Sequence, residues 1–232
     1  AKEKNIKIIN SAETPEIAAS VSELVFGGLI SLIRNIPYAD SSTKAAKWEK
    51  KACKGVLLDG LLYGKTIGII GFGRIGHAVA KKALAFDMKV LTYDPHPPKE
   101  NPKHVQLVEL NNLLNRSDII TLHIPSIKGP GGTENFFNAE KIKKCKDGAV
   151  VVNTSRAAIW DEQAVVEALK KGKLGGAVVD VFIQEKVDSP SEHVYDQVKE
   201  KTILTPHLGS QTVGCQKASA KHLVEKIKEM AL

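Results

Sequence analysis

The chain has 232 residues, 43% hydrophobic and 25% charged, with 33 Lys and Arg against 26 Asp and Glu for a formal charge of +7. That is ordinary globular composition, enough for one full core with or without an appendage. It contains no run of about 18 apolar residues that would suggest a membrane span, and its first four residues, Ala-Lys-Glu-Lys, lack the apolar core of a secretory signal.

Three widely separated cysteines, Cys53, Cys145 and Cys215, contain no CxxC pair. They support neither a zinc site nor a disulfide framework, so no metal is expected and the reducing cytoplasm is the expected compartment. The positive charge is dispersed and interleaved with glutamate, as at Glu225-Lys226-Ile227-Lys228-Glu229. Without aromatic-basic interleaving it points to solvated faces and away from nucleic acid.

In chain order, residues 5–10 pattern as a strand. Residues 20–36 pattern as an apolar helix, with Ser20 and Glu23 in capping-box positions and Pro37 as its stop. Residues 37–63 are polar and irregular. Short continuous apolar runs then predict strands at 66–70, 89–93, 118–123, 149–153, 176–181 and 202–205. Helical spacing falls between them at 75–86, 108–114 and 162–171. Unbroken apolar strands alternating with helices are the pattern of a parallel sheet covered on both faces, a Rossmann-type doubly wound α/β fold. A terminal helix over 216–232 places Leu223, Val224, Ile227 and Met230 on its apolar face.

Between the strand at 66–70 and the helix at 75–86 stands Gly71-Phe72-Gly73-Arg74-Ile75-Gly76. In that context the three glycines serve a tight turn, a close approach to pyrophosphate, and packing of helix on strand. The amides of Arg74 and Ile75, at the positive end of the helix, are the expected phosphate ligands. Asp94 follows the next strand, where a carboxylate accepts ribose hydroxyls and repels a 2′-phosphate, favouring NAD over NADP. A plain strand-end turn at Asp94-Pro95 is the other reading, and His96 and Lys99 leave room for dual specificity.

The stretch 64–76, followed by Tyr93-Asp94-Pro95, then Asn153-Thr154-Ser155-Arg156, Asp180-Val181-Phe182-Ile183-Gln184-Glu185 and Leu204-Thr205-Pro206-His207-Leu208-Gly209, resembles the D-isomer-specific 2-hydroxyacid dehydrogenase family in order and spacing. The likeness runs from about Ile6 to the C-terminus, and residues 34–37 and 47–49 resemble its phosphoglycerate dehydrogenase branch. The resemblance implies NAD-dependent hydride transfer between a D-2-hydroxy acid and its 2-oxo acid, with 3-phosphoglycerate, and so serine biosynthesis, as one option. It implies a catalytic trio: Arg156 on the substrate carboxylate and carbonyl, His207 as general acid and base, and Glu185 hydrogen-bonded to His207. It places Asp180 on the nicotinamide carboxamide, with Thr154, Ser155, Arg156, His207, Gly209 and Ser210 around the cofactor's reactive end. Read without the motif, Arg156 is a surface ion-pair residue beside Asp161 and Glu162. His123 is expected near the cofactor, with no task for its ring.

Several features depart from the family pattern. Ala157-Ala158 stands where Gly-Gly is usual, and Lys186 where proline is. The chain begins without Met, near the last strand of the substrate domain that precedes this region in the family. Residues 1–18 are therefore expected to be a remnant of that domain, 19–210 the NAD-binding domain, and 211–232 a helix returning toward the missing part. The resemblance also implies a homodimer formed through the helix at 20–36, whose apolar surface would otherwise be exposed. The alternative function is a non-enzymatic NAD(H)-sensing module of the corepressor type.

Overall fold

Seven strands form one fully parallel sheet: β1 (Thr66–Ile70), β2 (Lys89–Tyr93), β3 (Val105–Leu107), β4 (Ile119–Leu122), β5 (Ala149–Asn153), β6 (Leu174–Val179) and β7 (Thr202–Leu204). Their order is β3-β2-β1-β4-β5-β6-β7, so the direction in which strands are added reverses between β1 and β4. The computed structural model describes residues 8–11, 14–51, 57–98, 102–185 and 193–231.

Helices cover both faces. On one side lie α1 (Pro15–Ile33) and α3 (Arg74–Ala85), packed on each other. On the other lie α4 (Leu110–Arg116), α5 (Ala139–Lys144) and α6 (Glu162–Lys170). β4 and β5 are buried along their whole length, as two-sided cover demands, and this is why they read as unbroken apolar runs. α1 lies close on the sheet: a Cβ on Gly28 would stand 2.5 Å from Val178 Cγ1. The fold predicted from the alternating runs is the one observed.

The N-terminal half of the prediction needs correcting. Residues 5–7 of the expected first strand lie outside the described residues, and 8–10 form no strand. α1 starts at Pro15, not Ser20, because the proline fixes φ at the first helical position and Thr14 precedes it in extended conformation. Ser20 is therefore no cap; it is buried within the helix and its hydroxyl donates to the carbonyl of Gly209 at 2.7 Å. At the other end, Asn35 turns left-handed (φ 49°) and α1 stops at Ile33. Pro37 does not end that helix. It sits in the first turn of α2 (Ile36–Lys44), where its missing N–H costs nothing.

Length and composition alone would let α1 cross a membrane, and half of it is buried inside the fold. Val25, Phe26, Leu29 and Ile33 pack in the core with residues of α3, β1 and β5. The premise that this helix's apolar face needs a dimer partner therefore fails: the chain's own sheet and α3 cover it. The C-terminal helix α7 (Val213–Ala231) packs against α1, yet Val224, Ile227 and Met230 are exposed rather than buried.

Candidate cofactor and substrate cleft

Every predicted site residue lies at or just past the carboxyl end of a strand, where open α/β sheets bind ligands. At the end of β1 the amide of Gly71 donates to Tyr93 O at 2.9 Å. Its φ of 93° and the carbonyl of His123, 2.5 Å from where a Cβ would be, leave room for glycine alone. A Cβ on Gly76 would stand 2.3 Å from Gly71 O, whereas one on Gly73 would meet nothing within 4 Å. Gly71 and Gly76 thus serve the protein's own packing, and the space over Gly73 is open for a ligand. No side chain caps α3, which leaves its first-turn amides free for an anion. Asp94 clasps the turn: Oδ2 accepts the Phe72 amide at 2.7 Å and Oδ1 the His96 amide at 2.8 Å.

A cleft of about 710 Å³ runs from this turn across the sheet edge. It is lined by Gly73, Arg74, Ile75, Thr154, Ser155, Arg156, His207, Gly209 and Ser210, all predicted. The lining also includes Asn10, Ser11 and Ile17, together with His123 at the end of β4. Among the described residues no carboxylate lines it, and Arg74 and Arg156 do, so the cleft suits an anionic ligand.

The loop from Asn153 to Arg156 is tied from below. Asn153 Nδ2 donates to Arg156 O at 3.0 Å, its Oδ1 accepts the Ser155 amide at 3.1 Å, and Ser155 Oγ donates to Leu122 O at 2.6 Å. Ala157–Ile159 form a 3-10 turn with no positive φ, so alanines fit where the family pattern has glycines. Arg156 is exposed and forms no ion pair among the described residues; Nη1 donates to Ser155 O at 2.6 Å. The acids that might have claimed it are occupied. Asp161 caps α6 through the Ala164 amide, and the buried Glu162, its carboxyl pushed up by burial, accepts the Ile183 amide at 3.2 Å.

His207 has φ 59°, a left-handed backbone that projects its ring from a sharp turn, with its amide on Thr205 O at 2.9 Å. Beneath that turn lies the fully buried Asp180. Its Oδ1 accepts Thr205 Oγ1 at 2.5 Å and the Leu208 amide at 2.7 Å, and its Oδ2 accepts the Gly209 amide at 2.9 Å. The predicted carboxamide ligand is first of all the anchor of the histidine loop. Glu185 Oε1 lies 3.6 Å from His207 Nδ1. This is within ion-pair reach but longer than the expected hydrogen bond, because both side chains stand in solvent.

These residues fit a dinucleotide: an open floor at Gly73, free amides at α3, and a cationic wall. Among the described residues no cluster of His, Cys, Asp or Glu could hold a metal.

Residues 26–209 match the family model described as D-isomer specific 2-hydroxyacid dehydrogenase, NAD binding domain. The chain is 42% identical to a hydroxypyruvate reductase of Thermotoga maritima over its whole length and 72% of that protein. It is 40% identical to a D-3-phosphoglycerate dehydrogenase of Methanocaldococcus jannaschii, over 99% of this chain and 42% of the other. It thus spans less than half of that relative. Among solved structures, a D-lactate dehydrogenase from Aquifex aeolicus complexed with NAD and lactic acid superposes with a TM-score of 0.80 at 29% identity, covering 95% of this chain and 67% of that one.

Proposed function

Because the chain belongs to the D-isomer specific 2-hydroxyacid dehydrogenase family, of which it carries the NAD-binding domain, we propose that it serves hydride transfer between NAD(H) and a small D-2-hydroxy acid or its 2-oxo acid. The observation that carries this reading is the meeting of Arg156 and His207 in one cleft with the glycine turn, Glu185 lying 3.6 Å behind the histidine. NADH, when bound, supplies the hydride to the carbonyl carbon. Arg156 pairs its planar guanidinium with the substrate carboxylate and draws charge from the adjacent carbonyl. His207 gives its proton to the carbonyl oxygen as that oxygen becomes a hydroxyl, and takes it back in the oxidative direction. Glu185 keeps Nδ1 paired, so that the opposite nitrogen faces the substrate. The strained turn of His207, held by Asp180, fixes where that proton is delivered.

The relatives' names suggest hydroxypyruvate and 3-phosphoglycerate chemistry as the first substrates to try. The cationic cleft suits either, and the phosphate would set the second apart. A homodimer through the groove of Ile30, Ile33, Leu61, Tyr63 and Phe86 is the proposed assembly, since Leu61, Tyr63 and Phe86 are exposed; sedimentation tests it. Residues 211–232 are proposed to meet the substrate domain through the exposed Val224, Ile227 and Met230.

The experiment has two arms. NADH fluorescence is followed on titration with the chain, and saturable binding is expected. The whole protein is then assayed on phosphorylated and unphosphorylated 2-oxo acids, with His207→Ala expected to abolish turnover while NADH affinity holds. Full turnover in that variant removes the proposed role.

A further inference from the structure

A carboxylate taken out of water destabilises a fold unless its bonds offset the lost hydration. Glu162 is such a group: it is 8% exposed, and burial raises its carboxyl above the usual range. Burial, and next the Glu162 carboxylate, push the phenol of the fully buried Tyr195 upward as well. The start of α6 does not account for this acid, because its neighbour Asp161 already caps the helix through the Ala164 amide.

Glu162 instead holds the segment that carries Glu185. Past β6 the chain leaves the core quickly: Val181 is buried, Phe182 half-buried, and Ile183, Gln184 and Glu185 exposed. The Ile183 side chain is 66% exposed and anchors nothing. Phe182 sets its ring edge-on to His193 and Tyr195, with centroids 4.9 and 6.1 Å away. One residue on, the Ile183 amide donates to Glu162 Oε1 at 3.2 Å.

Two residues beyond that bond, Glu185 Oε1 stands 3.6 Å from His207 Nδ1, with both side chains at least half exposed. An exposed pair at this distance has little attraction of its own to keep it together. Two residues of chain reach about 7 Å. Freeing the Ile183 amide therefore lets the carboxylate move away by more than the gap that now separates it from the imidazole.

We propose that Glu162 is a positioning residue for hydride transfer: by holding the Ile183 amide it keeps Glu185 beside His207. The assignment rests on the function proposed above. Glu162 does for the glutamate what Asp180 does for the histidine. Each is a buried carboxylate that accepts backbone amides from the segment bearing one member of the pair.

Steady-state kinetics of the whole protein on its best 2-oxo acid tests this in two backgrounds. Glu162→Leu removes the acceptor at similar volume, and Glu162→Gln keeps an oxygen for the amide. Glu162→Leu is expected to lower kcat and kcat/KM alike, about three- to thirtyfold, with KM and NADH affinity unchanged, since Glu185 serves proton transfer and not binding. Glu162→Gln should recover most of the rate. On top of Glu185→Gln, Glu162→Leu should lower kcat no further, because the group it positions is already gone. A role confined to packing would show as a lower melting temperature, with the same factor in kcat, or none, in both backgrounds. Should Glu162→Leu fail to fold, Ile183→Pro removes the donor at an exposed residue and carries the same expectations. Unchanged kcat, equal losses in the two backgrounds, or a loss confined to KM or NADH affinity each overturns the assignment. If the wild-type protein reduced no 2-oxo acid at all, the proposed function itself would fall, and this inference with it.

Discussion

The buried carboxylate of Asp180 accepts the amide of Gly209 at 2.9 Å, joining the end of β6 to the loop that carries His207. The same carboxylate takes the Leu208 amide and the Thr205 hydroxyl. From the opposite side Ser20 of α1 donates to Gly209 O. A left-handed histidine persists only where its surroundings impose it, and these bonds do so. Asp180→Ala, which strands the buried Gly209 amide and the half-buried Leu208 amide, is expected to cost about 2–5 kcal/mol. Asp180→Asn keeps one acceptor but sets an NH₂ against a neighbouring donor, at about 1–3 kcal/mol. Urea midpoints and amide exchange at Leu208 and Gly209 measure this; unchanged protection there would show that the loop is held by something else.

The glycine turn separates stability from binding. Gly76→Ala drives a Cβ against the backbone carbonyl of Gly71, so both melting temperature and NADH affinity should fall. Gly73→Ala meets no protein atom, and Gly73 already has φ −78°. It should fold as well as wild type, yet lose NADH affinity tenfold or more, on the order of 1.4 kcal/mol, because its methyl takes the phosphate's place. A Gly73→Ala chain that binds NADH normally would put the pyrophosphate elsewhere.

The parts of this molecule legible in the sequence were those governed by short-range rules. β1, β2 and β5 fall on the predicted residues because two-sided burial writes itself as unbroken apolar runs. β3, with only Val105 buried, leaves no such run and was missed. Ser20 and Glu23 matched the capping-box spacing, but the helix begins five residues earlier at Pro15, and the hydroxyl's true partner is 189 residues away. A spacing rule cannot see a partner at that separation. Motif order brought Arg156 and His207 to one cleft. What Asp180 holds, and that His123 has a free nitrogen, depend on how loops from different strands settle against one another.

Asp94 should be more than a ribose ligand. Since it clasps the Phe72 and His96 amides, Asp94→Ala is expected to loosen the turn as well as to remove the proposed ribose ligand. NADH affinity should fall about tenfold or more, while NADPH, relieved of a repelling carboxylate, should lose less. Competitive titration of the two cofactors gives the ratio; equal binding of both by the wild-type chain would show that Asp94 does not select.

His123 makes stability depend on pH, with a sign that can be worked out. Its ring titrates near 6.5 in the unfolded chain and at about 3 in the fold, where burial disfavours the charge. Above pH 6.5 neither state is protonated and stability is unaffected. Between pH 6.5 and 3 the unfolded chain binds a proton that the fold refuses. Stability should therefore fall with falling pH, at up to about 1.4 kcal/mol per unit. Glu162 acts in the other direction. Burial raises its carboxyl above 4.5, so the fold holds that proton more tightly than the unfolded chain, a contribution lost as pH rises through the folded value. The wild-type profile is the sum of such terms, and comparison with His123→Asn isolates one of them. Urea unfolding at pH 7.5, 6.5, 5.5 and 4.5 should show the stability difference, wild type minus variant, constant down to pH 6.5 and shrinking below it. A difference that stays constant to pH 4.5 would mean that the His123 ring takes up its proton without leaving the fold.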